Sequence, residues 1–171
     1  MNTIVLMAQP LTKAAFAPYG DVIEIDGAQH FGINLDTVER YHDLAKVEAD
    51  YADGGRSVIS LASVKVPCNL PHHFHLIERH PKGSQAFIPM FDSPVYTVVG
   101  PKGDNPKASD LKAFVTNGQQ GFNYHTGVWH MPIMADEIGK IFVMIDRAGA
   151  GNNCDEFTFE EHRFELVAEN T

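Results

Sequence analysis

Short apolar segments alternate with turn-forming clusters along almost the whole of this chain, and that alternation leaves little room for long helices. Segments 3–10, 21–26, 57–66, 85–90, 95–99, 113–116, 127–131, 140–146 and part of 157–167 are rich in Val, Ile, Phe and Tyr. Between them stand breaks such as Asp53-Gly54-Gly55, the Pro101 to Pro106 stretch and Asn117-Gly118. β-branched and aromatic residues suit a half-buried pleated surface, and frequent Gly, Pro and Asn end each run before a long helix can form. Segment 21–26 alternates acidic and apolar side chains with the period of two that marks a strand. The pattern predicts a mainly β fold, and periodicity alone leaves barrel and sandwich both open. Helix is expected only in short pieces. These are 13–17, with Thr12 as N-cap and Pro18-Tyr19-Gly20 as terminator, then 43–51, and a single turn at 109–112 capped by Ser109 and Asp110.

With 171 residues and no repeat or linker, the chain is expected to form one domain over residues 1–171. The formal net charge of −9, from 13 basic and 22 acidic residues, argues against nucleic acid and anionic membrane surfaces as partners. A small anionic substrate remains compatible with it, because one Arg can reverse the field locally. Cys68 and Cys154 form no CxxC pair, which points to two reduced thiols. The apolar run at 4–8 lacks a basic flank and is too short for a signal peptide, and no stretch approaches a membrane span. A cytoplasmic location is expected.

Nine histidines are unevenly spread. His72, His73, His75 and His80 crowd into nine residues, and His125 and His130 follow on a later segment. A neutral imidazole binds metals and moves protons near pH 7, so the group is a candidate site even though any one exposed His is ordinary. Side chains two apart on a strand share a face. Glu78 and His80 form one such pair, His73 and His75 another of opposite parity, and an unbroken strand cannot aim both into one cavity.

Glu78-Arg79-His80 before the Pro81-Lys82-Gly83 turn, then Gln85, then Gly127-Val128-Trp129-His130, resembles the ligand-bearing motifs of the cupins. Glu78 stands where that superfamily places a first His, and Gln85 where it places a carboxylate. Glu78, His80 and His130 are the three metal ligands this resemblance implies, weaker than a full His/carboxylate set.

A longer match runs from about Tyr19 to Asp155. Glu39-Arg40-Tyr41-His42-Asp43-Leu44-Ala45, Glu78-Arg79-His80-Pro81, Gln85 to Met90, Phe114 to Gly118, Asn123-Tyr124-His125, Val128-Trp129-His130, Asp146-Arg147 and Asn153-Cys154-Asp155 resemble, in order, the ureidoglycolate lyase family. The resemblance implies a cupin-type double-stranded β-helix barrel, a homodimer, and release of urea and glyoxylate from (S)-ureidoglycolate during allantoin breakdown. It also implies a divalent metal such as nickel.

That chemistry needs a base for the substrate hydroxyl and an acid for the departing nitrogen, with His80, His130 and Glu78 as candidates. Arg40 is a candidate carboxylate clasp through a bidentate fork, with Tyr41, His42, Gln85 and Tyr124 as further substrate contacts. Arg79 alternates away from Glu78 and is expected to form a surface ion pair. His72 and His73 fall outside the matching blocks and are expected near the rim. The Gly149 to Asn153 run lacks the Lys-Ser/Thr of a phosphate loop and reads as a turn, and Trp129 reads as packing. Two rival classes share the fold: a non-catalytic small-molecule-binding cupin and another metal-dependent cupin enzyme.

Overall fold

The punctuated sequence folds into sixteen strands in the computed structural model, which describes residues 2–169. In chain order they are β1 (Asn2–Met7), β2 (Gln9–Pro10), β3 (Gly20–Ile23), β4 (Gln29–Ile33), β5 (Val38–His42), β6 (Arg56–Ser63), β7 (His72–Phe74) and β8 (Leu76–Arg79). The second half contributes β9 (Gln85–Pro89), β10 (Tyr96–Gly100), β11 (Lys112–Val115), β12 (Gly121–Tyr124), β13 (Trp129–His130), β14 (Ile141–Ala148), β15 (Asp155–Thr158) and β16 (His162–Val167). The α-helical part is α1 (Lys13–Phe16), whose N-cap Thr12 accepts a hydrogen bond from the Ala15 amide at 3.2 Å.

Three sheets stack in layers. A five-stranded sheet runs β3-β12-β9-β14-β6, a six-stranded sheet runs β15-β8-β13-β10-β11-β2, and a three-stranded sheet runs β1-β16-β7. Alternation along each strand divides the core in two. Val22, Phe87, Phe122, Tyr124 and Phe142 of the five-stranded sheet meet Val99 and Phe114 of the six-stranded sheet in the barrel core, where Phe16 also packs. Ile77, Val98, Ala113, Trp129 and Met131 leave the other face of the six-stranded sheet and meet Phe74, Phe164 and Leu166 of the three-stranded sheet. Each large apolar side chain taken out of water contributes roughly 1.5–3 kcal/mol, so residues on both faces anchor the middle sheet. The result is a mainly β, cupin-type fold with few short helical turns.

One glycine is demanded by the barrel seam. Gly20 pairs with Tyr124, and a Cβ there would stand 1.9 Å from the Asn123 carbonyl oxygen.

The structure departs from the sequence expectations in several places. Segment 43–51 is not a helix. Asp43 and Asp50 take left-handed φ values of 55° and 48°, and the stretch is held by tertiary bonds, Glu48 N donating to Ser84 Oγ and Ser84 N to the Glu48 carbonyl. A 3-10 turn follows at Tyr51–Asp53, and another at Ala108–Asp110 takes the place of the expected turn at 109–112. Segment 3–10 splits into β1 and β2 on different sheets. Strands β4, β5, β7, β8 and β12 are additional to the expected set. β4 and β5 form a separate two-stranded arm, turned by Asn34, Leu35 and Asp36, all at positive φ.

Candidate active site and metal centre

The site begins with one cross-strand pair. β13 places His130 directly opposite Glu78 of β8. Their neighbours Ile77, Trp129 and Met131 belong to the outer core, so Glu78 and His130 point the other way, into the barrel. His80, two residues past Glu78, joins them. His130 Nε2 lies 3.4 Å and His80 Nε2 3.9 Å from the same Glu78 carboxylate oxygen. The imidazole centroids are 5.1 Å apart. One ligand atom from each of the three residues lies within 4.8 Å of the others.

Both imidazoles are held in one tautomer. His80 Nδ1 donates to the Asn153 carbonyl at 2.6 Å and His130 Nδ1 to the Val128 carbonyl at 3.1 Å, since a carbonyl only accepts. The proton therefore sits on Nδ1 and the lone pair on Nε2. Each Nε2 is buried without a hydrogen-bond partner. Two orphaned imidazole lone pairs converging with a carboxylate, each ring braced through its other nitrogen, fit a divalent cation by donor type and orientation.

The protonation states suit that use. Burial holds His130 below the ordinary imidazole value, favouring its neutral form. Glu78 is held below the ordinary carboxylate value by its contact with His130, against the opposing effect of burial. Behind His130, the Tyr124 ring stacks at 4.0 Å with the planes 12° apart, and its hydroxyl is bonded to Thr97 Oγ1 at 2.6 Å. Burial raises the Tyr124 phenol, which stays protonated. Tyr124 thus braces His130, its hydroxyl already engaged by Thr97.

The facing wall comes from the five-stranded sheet. Gln85 of β9 pairs with Tyr124 of β12, and Ala86 pairs with Ile145 of β14, so the next residue, Asp146, falls opposite Gln85. Gln85 shares its inward face with Phe87, and Asp146 shares its own with Phe142 and Met144. Gln85 is 7% exposed, and its Oε1 has no hydrogen-bond partner. Burial raises the Asp146 carboxyl, opposed by the Gln85 side chain and by its proximity to His80. At the mouth, exposed Cys154 places Sγ 3.9 Å from Glu78 Oε2. Burial and the Glu78 charge raise this thiol, which stays protonated.

The structure brings Glu78, His80, His130 and Gln85 to one interior, with Tyr124 packed behind. It does not bring Arg40, Tyr41 or His42 there within one chain. These residues lie on β5 of the arm, where Arg40 is exposed and its guanidinium sits 5.9 Å from the Phe31 ring centroid. His42 lines a cavity of about 420 Å³ with Asp21 and His125. Asp21 pairs with Asn123, whose neighbours Phe122 and Tyr124 point inward, so this cavity is on the outer face of the five-stranded sheet.

Arg79 turns away as its parity predicts, bonded to Asp155 at 2.9 Å and Asp104 at 3.0 Å, over Trp129. His72 and His73 belong to the three-stranded sheet, where His73 approaches Glu165 at 4.0 Å. His75 interrupts the chain between β7 and β8, and its carbonyl accepts from Phe159 N. The Gly149 to Asn153 run is indeed a turn, and it braces the site through the Asn153 carbonyl. Asp146 and Cys154 escaped the sequence reading as site residues. The signal for Asp146 was its parity with Phe142 and Met144; Cys154 reaches the mouth through a loop that leaves no periodic trace.

Among the described residues no helix is long and apolar enough to cross a membrane. Compared with known proteins, residues 3–166 match the profile of the family described as ureidoglycolate lyase. The chain is 50% identical over 163 residues to a Pseudomonas fluorescens SBW25 protein named ureidoglycolate lyase, covering 95% of this chain and 96% of that one. A protein of the same name from Pseudomonas syringae pv. tomato DC3000 is 48% identical over 158 residues, covering 92% of each. A third, from Pseudomonas fluorescens Pf0-1, is 49% identical over 163 residues.

Proposed function

Because the chain belongs to the ureidoglycolate lyase family, we propose that it cleaves (S)-ureidoglycolate to glyoxylate and urea in purine degradation. The observation that best supports a catalytic role for this interior is the convergence of two buried, partnerless Nε2 atoms on the Glu78 carboxylate. A purely packing cluster would leave these groups at a desolvation cost of about 1–3 kcal/mol each. A site that binds a cation or a polar substrate recovers it.

In the substrate one carbon carries a hydroxyl, a carboxylate and the urea nitrogen. Breaking the C–N bond requires the hydroxyl to lose its proton as the nitrogen gains one. In this reading Glu78, His80 and His130 hold a divalent cation, nickel or a similar ion. When bound, such a cation supplies Lewis acidity that acidifies the hydroxyl and offsets the carboxylate charge. The chain's own contribution is orientation and dryness. Asn153 and Val128 carbonyls aim the two imidazoles, Tyr124 fixes the His130 plane, and the apolar barrel core excludes water behind them. Where an imidazole is not engaged as a ligand, its inward Nε2 lone pair is positioned to accept the hydroxyl proton.

The protein is a single cupin-type domain, cytoplasmic and homodimeric. The outer face of the five-stranded sheet supports a dimer, since Ile59 and Leu61 are 76% and 66% exposed beside Ile145 and Val143. The β4–β5 arm rises from this same face. Arg40 then clasps the substrate carboxylate, with Tyr41 and His42 beside it, by reaching over the partner's barrel.

The test is a direct assay of purified protein with racemic ureidoglycolate, scoring urea, glyoxylate and ammonia. The expected result is urea and glyoxylate in equal amounts from one enantiomer. Ammonia as the nitrogen product, or glyoxylate at the spontaneous rate, refutes it.

A further inference from the structure

We infer that Gln85 and Asp146 form a ureido-binding subsite, accepting the N–H hydrogens of the substrate's urea end. The inference rests on the lyase reading above and assigns a role to a residue, Asp146, that lies outside the three-ligand cluster.

The observation is a wall of acceptors. Gln85 Oε1 is buried and has no partner, and Asp146 stands beside it on the next strand with its carboxylate on the same inward face. The Gln85 and Asp146 side chains are near enough to interact, and Gln85 Oε1 itself stays unpaired. A buried acceptor without a donor is costly unless something supplies the donor. His80 is a neighbour of Asp146, and with Glu78 and His130 it forms the polar cluster of the same interior. Glu78 is itself an acceptor, and the inward nitrogens of both imidazoles carry lone pairs. The donor is therefore expected from the ligand.

A ureido group matches that demand. It carries three N–H hydrogens and one carbonyl, whereas the other end of the molecule carries a carboxylate. The Asp146 charge repels the carboxylate end and attracts the amide end, so the wall also sets which way round the substrate lies. With the urea end against Gln85 and Asp146, the reacting carbon falls toward Glu78, His80 and His130. The nitrogen that leaves is then held on the acceptor side, and its departing product, urea, keeps the same hydrogen bonds until release. The wall discriminates against analogues that lack amide hydrogens, because their binding would strand the buried Gln85 acceptor.

The experiment compares wild type with Asp146→Asn and Asp146→Ser. Forward KM is measured with ureidoglycolate, and the reverse condensation gives separate KM values for urea and for glyoxylate. Inhibition by oxalate, which resembles the carboxylate end alone, reports the opposite half of the site. Charge-assisted hydrogen bonds of this kind predict that KM for ureidoglycolate and for urea rises about ten- to a hundred-fold. KM for glyoxylate and oxalate inhibition stay within about three-fold, because their contacts are elsewhere. A general structural disturbance moves all four together, and that outcome overturns the inference, as does an unchanged urea KM. Should the Asn variant fail to fold, the smaller Ser side chain gives the same comparison without placing a new donor beside Gln85. A wild-type protein that releases no urea overturns both this inference and the lyase reading. Wild-type urea release with unmoved urea KM overturns this one alone.

Discussion

His130→Phe separates metal binding from packing more cleanly than truncation does. His130 is 1% exposed and its ring stacks on Tyr124, so His130→Ala would open a cavity costing about 3–5 kcal/mol, as large-to-small aromatic changes do. Phe keeps the ring. It forfeits the Nδ1 bond to Val128, worth about 1 kcal/mol, but also removes a buried Nε2 with no partner, an effect of similar size and opposite sign. Without metal, the variant should melt within a few degrees of wild type.

With metal the two should diverge. A ligand present at a hundred times its Kd stabilises by about 2.7 kcal/mol. For a chain of this length 1 kcal/mol moves Tm by about 2–4 °C, so saturating Ni²⁺ should raise wild-type Tm by about 5–10 °C. Losing one of three protein ligands lowers affinity by at least the 10- to 100-fold that lost supporting bonds cost. At the same metal concentration the stabilisation then falls to about 0.4–1.4 kcal/mol and the shift to about 1–6 °C. The assay is thermal melting of chelator-treated protein with and without Ni²⁺. His72→Ala and His73→Ala, on the three-stranded sheet, serve as controls and should keep the wild-type shift. An undiminished Ni²⁺ shift in His130→Phe, or its loss in the controls, would refute the assignment of Glu78, His80 and His130.

Burial holds the folded-state His130 pKa below 6.5, so as pH falls through that value the unfolded chain takes up a proton that the folded site refuses, and stability is lost. Glu78, held below 4.5 when folded, contributes stability above that value and loses it at lower pH. Urea unfolding of metal-free protein should therefore show stability declining below pH 6.5, and His130→Phe should decline less there and also lose much of the Glu78-linked fall at lower pH, because the contact that holds that carboxyl down is gone. Identical slopes in the two proteins would contradict the buried neutral imidazole. For the arm, co-expressing Arg40→Ala with His130→Phe should restore about a quarter of wild-type activity, because half the dimers are mixed and each has one intact composite site. No recovery above the two parents would remove Arg40 from the partner's site.

Local chemistry made much of this protein legible in one dimension. The punctuated β segments, the Thr12 cap, the outward turn of Arg79 and the shared face of Glu78 and His80 depend on near neighbours and on the period of two. Near-neighbour patterns specify a mainly β chain, and ordered blocks of residues carry its family. The sequence also supplied Glu78, His80, Gln85 and His130, four of the residues that meet in the barrel. What it left undecided depends on pairing between distant strands. Asp146 reaches the site because β14 lies beside β9, and the register between them carries no mark in either segment alone. Segment 43–51 has helix-forming residues, yet its backbone groups find Ser84 across the fold, and those tertiary bonds outweigh a weak local preference. Arg40-Tyr41-His42 sits in a matching block but on an arm beyond the barrel wall, because contiguity in sequence says nothing about which side of a sheet a loop will cover. Strand alternation is a property of a few residues, whereas strand order is settled by which faces can bury each other, and only the folded chain makes that choice.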